Sequence, residues 1–146
     1  NHAFGPASQH MQAFMRTVEE ALVAADHITE GVWTWMTADA MARCREHLDA
    51  AHAAAENAGP TVQERLREWE IGFRYGDLGS EAWRIAQRGM AEQDPALLRR
   101  AIDLADEAAA YLAEQNRQEP HNAAAVGKLT RVYQVRWQRA LERIEQ

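Results

Sequence analysis

The sequence predicts an all-α helical bundle of four to five helices with a long central helix, and three observations lead there. Alanine makes up about a fifth of the 146 residues and Val and Ile are scarce, a mixture that favours helix over strand. Apolar residues recur at steps of three and four along most of the chain, and no segment alternates as a half-buried strand does. Gly-Pro and Asp-Pro pairs punctuate these runs at short intervals, as the loops of a bundle require.

The first helix is expected from Pro6, tolerated in a first turn, to about His27, with Met11, Phe14, Met15, Val18, Leu22 and Ala25 on one stripe. The stretch from Ile28 to Met36 holds Gly31, Trp33 and Trp35 and reads as a connection with its own aromatic plug. Thr37 is the expected N-cap of the second helix, with Asp39 in its first turn. That helix runs to about Asn57, with Met41, Cys44, Leu48, Ala51 and Ala55 facing inward.

Gly59 and Pro60 end it, and Thr61 to Glu64 reads as a capping box opening the third helix. Two stripes follow. One passes through Val62, Leu66, Trp69, Phe73, Gly76, Ser80, Trp83, Gln87 and Met90, the other through Ile71, Tyr75, Leu78, Ala82 and Ile85. Apolar on two flanks, this is the expected central helix, with Trp69, Trp83 and Trp137 at core spacing. Gly72, Gly76 and Gly79 each cost about 1 kcal/mol against Ala there, so the reading is close approach of a neighbouring helix, with a kink near Gly79 and Ser80 as the other cause. Asp94 and Pro95 open a fourth helix to about Asn116 on Leu97, Ala101, Leu104, Ala108 and Tyr111. Asn122 caps a fifth, with Val126, Leu129, Tyr133, Trp137, Ala140 and Ile144 inside.

At this length one core can hold a single domain spanning residues 1–146 without disulfides or a structural metal. The lone Cys44 rules out an intramolecular disulfide and reads as a small core residue rather than a nucleophile. The net charge of −6 argues against a nucleic-acid binder, and no apolar run reaches the roughly 20 residues that span a bilayer. Fifteen of the sixteen basic residues are Arg, which a GC-rich coding sequence explains. The local basic excess of the last helix, Lys128, Arg131, Arg136, Arg139 and Arg143, reads as macrodipole compensation.

A self-contained reaction is not visible. No Glu has a His three residues later, as a di-metal bundle would need. Cys44 and His47 lack a second ligand pair, and His47 and His52 stand about 140° apart on a helix, so no metal or other cofactor is expected. Ser8 and Ser80 have no nucleophile elbow, the glycines of 72–80 lack a phosphate-loop ending, and the pairs Glu19-Glu20 and Asp106-Glu107 point apart. Trp33 and Trp35 are the candidate binding residues, because aromatic faces in a connection suit sugar stacking or a domain interface; the other reading has them close the end of the bundle.

Several segments resemble an uncharacterised glycoside-hydrolase-like (alpha-glucuronidase-like) family. They are Ala3-Phe-Gly-Pro-Ala-Ser8 with Met11, Phe14 and Glu19-Glu20; Trp35-Met-Thr37 with Ala42 to Ala50; and Arg65 through Leu78. Met36-Thr37-Ala38 departs from that family's pattern, and the resemblance covers residues 3 to about 115. It implies a C-terminal helical domain behind a (β/α)₈ barrel that carries the catalytic carboxylates, which agrees with a chain not beginning with Met. The expected function is therefore a non-catalytic domain of a carbohydrate-active enzyme, packing on the barrel and supporting dimerisation, with Trp33 and Trp35 near carbohydrate in the interdomain cleft. The alternative is a free-standing helical module that binds a protein or small ligand. Localisation stays open.

Overall fold

A computed structural model describes residues 3–25, 35–118 and 129–146, apart from the side chains of 116–118, 130 and 131. Every regular element among the described residues is helical, in agreement with the predicted class. A 3₁₀ turn at Gly5–Ala7 leads into α1 (Ser8–Ala24), followed by α2 (Ala38–Ala54), α3 (Pro60–Glu92) and α4 (Pro95–Gln118). A π-helical segment, Leu129–Gln134, runs into α5 (Val135–Glu145). The chain forms two compact units, Asn1–Phe73 and Arg74–Gln146, with the boundary inside the 33-residue α3.

In the first unit α1 packs on α2. The inward stripe of α2 is as predicted: Met41, Cys44, Leu48, Ala51 and Ala55 are all buried with Met11, Phe14, Leu66 and Phe73. Thr17, also buried on α1, keeps its hydroxyl satisfied by donating to the Ala13 carbonyl at 3.1 Å. Thr37 caps α2 by accepting from the Ala40 N–H at 3.1 Å. Both helices end earlier than their stripes suggested. Ala25 is extended, and Ala55 leaves helical geometry to close the turn that Gly59 and Pro60 complete.

The capping box at Thr61 does not form as predicted. Pro60 is already helical, and Gly59 offers its carbonyl to the Val62 and Gln63 N–H groups at 3.0 and 3.3 Å. Pro60 wins because a proline in the first turn forfeits no bond. Gln63 turns back instead and donates to the carbonyls of Ala55 and Glu56, tying α3 to the end of α2.

In the second unit α4 packs on α5 and on the π segment. Asp94 caps α4 as predicted, accepting from the Ala96 and Leu97 N–H groups at 2.8 and 3.3 Å. The turn before it is a Schellman-type closure. Gln93 adopts a left-handed φ of 53°, and the Asp94 N–H donates to the Gly89 carbonyl at 2.9 Å. This tight return brings Leu97 and Leu98 over Gly89, where an added Cβ would meet the Leu97 Cβ at 3.0 Å and the Leu98 backbone nitrogen at 3.1 Å. Close helix approach thus falls at Gly89. At Gly72, one of the three positions where it was expected, a Cβ would meet nothing within 4 Å, whereas Gly79 is buried; α3 continues unbroken through Gly79 and Ser80.

The second stripe of α3 is the better buried one, with Ile71, Tyr75, Leu78 and Ala82 all inside. On the first stripe Gln87 is exposed and Trp69 remains 38% exposed, which corrects its placement in the core. Trp137 is buried as predicted, and the half-buried Trp83 stands edge-on to the buried Tyr133 with centroids 5.0 Å apart. The predicted cap Asn122 and core residue Val126 lie outside the described residues.

Candidate functional site

Of the two candidate binding residues, Trp33 lies outside the described residues, and Trp35 is partly buried against the core of the first unit. Aromatic surface is instead available at Trp69. Its ring meets Phe4 and Phe14 edge-on, with centroids 6.4 and 5.6 Å away, and Phe14 passes the contact to Phe73 at 5.8 Å. Phe4 is held there by the leading segment. Arg65 donates to the Ala3 carbonyl at 2.7 Å, and Gly5 turns with φ 47° beside Val62. The left-handed φ favours glycine at that position. One helical turn beyond Trp69, the exposed Gly72 leaves an open shelf beside the indole.

A cleft of about 580 Å³ lies between the end of α2 and the start of α3, lined by His52, Pro60, Gln63, Glu64, Arg67 and Glu70. Most of its charged groups are engaged in ion pairs, while the buried His52 Nε2 has no hydrogen-bond partner among the described residues. Arg45 holds both Glu70 carboxylate oxygens, at 2.8 and 3.0 Å, reaches Asp49 at 3.3 Å and lies 4.5 Å over the Phe73 ring. Burial opposes the charge on Arg45, but the Glu70 and Asp49 carboxylates outweigh it and raise the guanidinium pKa further. His52 Nε2 stands 3.6 Å from Glu70, and Arg67 pairs with Glu64 at 2.8 Å. The cluster therefore reads as a clamp between α2 and α3.

A second cleft, of about 480 Å³, lies in the other unit and is lined by Met90, Gln93, Ala140, Arg143 and Ile144. Arg143 lines it, and Arg136 and Arg139 share with Arg143 one exposed face of α5.

The residues weighed for catalysis occupy structural positions. Cys44 is fully buried, donates weakly toward the Phe14 carbonyl at 4.0 Å, and its thiol pKa is pushed up to about 11 by burial, against a smaller lowering by Arg43. Ser80 is fully buried within α3. Glu20 pairs with Arg43 at 3.4 Å, Asp106 accepts from the buried Gln134 at 2.6 Å, and Glu107 pairs with Arg74 at 3.4 Å. Among the described residues no three His, Cys, Asp or Glu side chains are grouped to hold a metal ion, and no helix is long and apolar enough to cross a membrane.

No protein-family model, no curated protein and no solved structure matches the chain. The site must therefore be read from its own geometry.

Proposed function

We propose that this chain is a non-catalytic helical domain that acts by packing on a neighbouring protein domain through the Trp69 face of its first unit. The observation that carries this reading is the 38% exposure of a large indole beside an open glycine shelf. Partly exposed Trp is enriched where proteins bury one another, because its ring gives a large contact area at little cost in side-chain entropy. The leading segment supports it, since Phe4 is pinned against the same indole. A barrel attached ahead of Ala3, as the resemblance implies, would be delivered to this face. In that reading the neighbour is a glycoside-hydrolase-like barrel of the same polypeptide, and its carboxylates carry the reaction.

The test begins with the coding sequence ahead of Asn1, which is expected to encode a barrel domain. The longer polypeptide and the 146-residue chain are then compared by amide hydrogen exchange, with slower exchange expected around 65–73 in the longer protein. A coding sequence without a barrel overturns the carbohydrate-enzyme reading. Unchanged exchange at 65–73 in a barrel-bearing polypeptide overturns the docking face.

A further inference from the structure

The cleft in the second unit combines two features that the described residues do not use. It is lined by Met90 at the end of α3 and by Ala140 and Ile144 on α5, together with the polar Gln93 and Arg143. Arg136, Arg139 and Arg143, at intervals of three and four, form an exposed cationic stripe along the same helix. Arg136 rests 5.9 Å from the Tyr133 ring, whereas Arg139 and Arg143 make no ion pair among the described residues. The nearby carboxylates of Glu92 and Glu145 are engaged by Arg88 and Arg99. Glu142, three residues beyond Arg139, borders the stripe without pairing to it. Macrodipole compensation accounts for Arg143, which stands in the last turn, but its reach does not extend to Arg136 or Arg139.

We infer that this cleft docks an acidic amphipathic peptide segment of a protein partner, with an apolar side chain seated between Met90 and Ile144 and carboxylates on Arg139 and Arg143. Charge complementarity selects this occupant. A second copy of the chain, placed symmetrically on this face, would set one arginine stripe against the other. Anionic membrane is disfavoured because three arginines give little attraction at a lipid surface for a chain of net charge −6. Carboxylates fit best because guanidinium groups take them in paired, charge-assisted hydrogen bonds. All the residues involved belong to the second unit, so the inference stands apart from the docking face at Trp69.

The test is selection of a random peptide-display library on the full 146-residue chain, followed by fluorescence anisotropy with the enriched peptides. Enrichment of Leu, Met or Phe flanked by Asp and Glu is expected. The double variant Arg139→Gln/Arg143→Gln should weaken the enriched peptide at least tenfold, with its circular dichroism unchanged and its melting temperature lowered by no more than the few degrees that losing the Arg143 charge from the last turn costs. Ile144→Asn should weaken binding independently of salt. Failure to enrich any peptide, enrichment without acidic residues, or equal binding by the double variant overturns the inference. Co-sedimentation with phosphatidylserine vesicles in the absence of peptide binding would overturn it in favour of a membrane surface.

Discussion

Replacing Gly72 and Gly89 separately by alanine should move stability in opposite directions, although both glycines lie within the same helix. The helix-propensity gain is the same at each site, about 1 kcal/mol. At Gly72 the new methyl enters open space, so the whole gain should appear, raising the melting temperature by roughly 3 °C in a chain of this size. At Gly89 the methyl would lie 3.0 Å from the Leu97 Cβ, 3.1 Å from the Leu98 Cγ and 3.1 Å from the Leu98 backbone nitrogen. Two of those atoms belong to the α4 backbone or its first side-chain carbon, which move only if the helix moves. Overpacking of that kind costs about 1–3 kcal/mol, so the net effect is a loss of up to about 2 kcal/mol. Urea unfolding at constant slope would read the two midpoints directly. A Gly89→Ala variant as stable as Gly72→Ala would refute the close approach of α4. A destabilised Gly72→Ala would refute the open shelf on which the proposed docking face depends.

Gln93→Gly should stabilise the chain by about 1 kcal/mol, because φ 53° strains any residue with a Cβ; an unchanged urea midpoint would count against that turn geometry. Thr37→Ala and Asp94→Ala should each lose about 1 kcal/mol of unfolding free energy, since each removes a side-chain acceptor from a helix start. Cys44 should resist iodoacetamide at pH 8 in the folded chain and react once urea unfolds it, as mass spectrometry would show. Alkali should destabilise the fold. Burial raises the Cys44 thiol from 9.0 to about 11 and the Tyr75 phenol from 10.0 to about 12, so the folded state keeps protons that the unfolded state has released. Stability is then whole below pH 9 and falls across pH 9–11 for Cys44 and pH 10–12 for Tyr75, by about 2–3 kcal/mol each. Urea titrations at pH 8, 10 and 11 would follow the loss, and Tyr75→Phe should flatten its upper part.

The helices were legible because their punctuation is local. Thr37 and Asp94 act on amides two and three residues away, a range over which sequence alone determines who can bond with whom. The stripe of α2 was legible for a related reason, since α2 buries one face in one core and a single period describes it. Reading failed where two local rules competed. Thr61 to Glu64 satisfies the spacing of a capping box, yet Pro60 satisfies a first-turn rule one residue earlier, and the helix begins there. The reading at Gly72 failed differently. Spacing can mark that a helix lacks side chains on one face, but whether a neighbour comes close depends on the path of the next helix, which the turn at Gln93 directs over Gly89.

The candidate sites were the least legible part, and the reason lies in α3. Two apolar stripes on one helix cannot be ranked by period alone, so Trp69 and Tyr75 looked equally internal. Burial follows the stripe of Tyr75, while Trp69 is met by Phe4 and Phe14 edge-on and left partly in solvent. Likewise Arg45 joins Glu70 across 25 residues and Arg99 joins Glu145 across 46, pairings that no local rule selects among so many charges. The arginines of α5 become informative only after those pairings are known. A cationic stripe means little while every nearby carboxylate remains a possible partner. With Glu92 held by Arg88 and Glu145 by Arg99, Glu142 is the one carboxylate of α5 left bordering Arg139 and Arg143, beside a cleft that sets Met90, Ala140 and Ile144 against the polar Gln93 and Arg143. The same helix face that composition alone assigned to dipole compensation thereby acquires a chemical preference, for an acidic group carried on an apolar anchor.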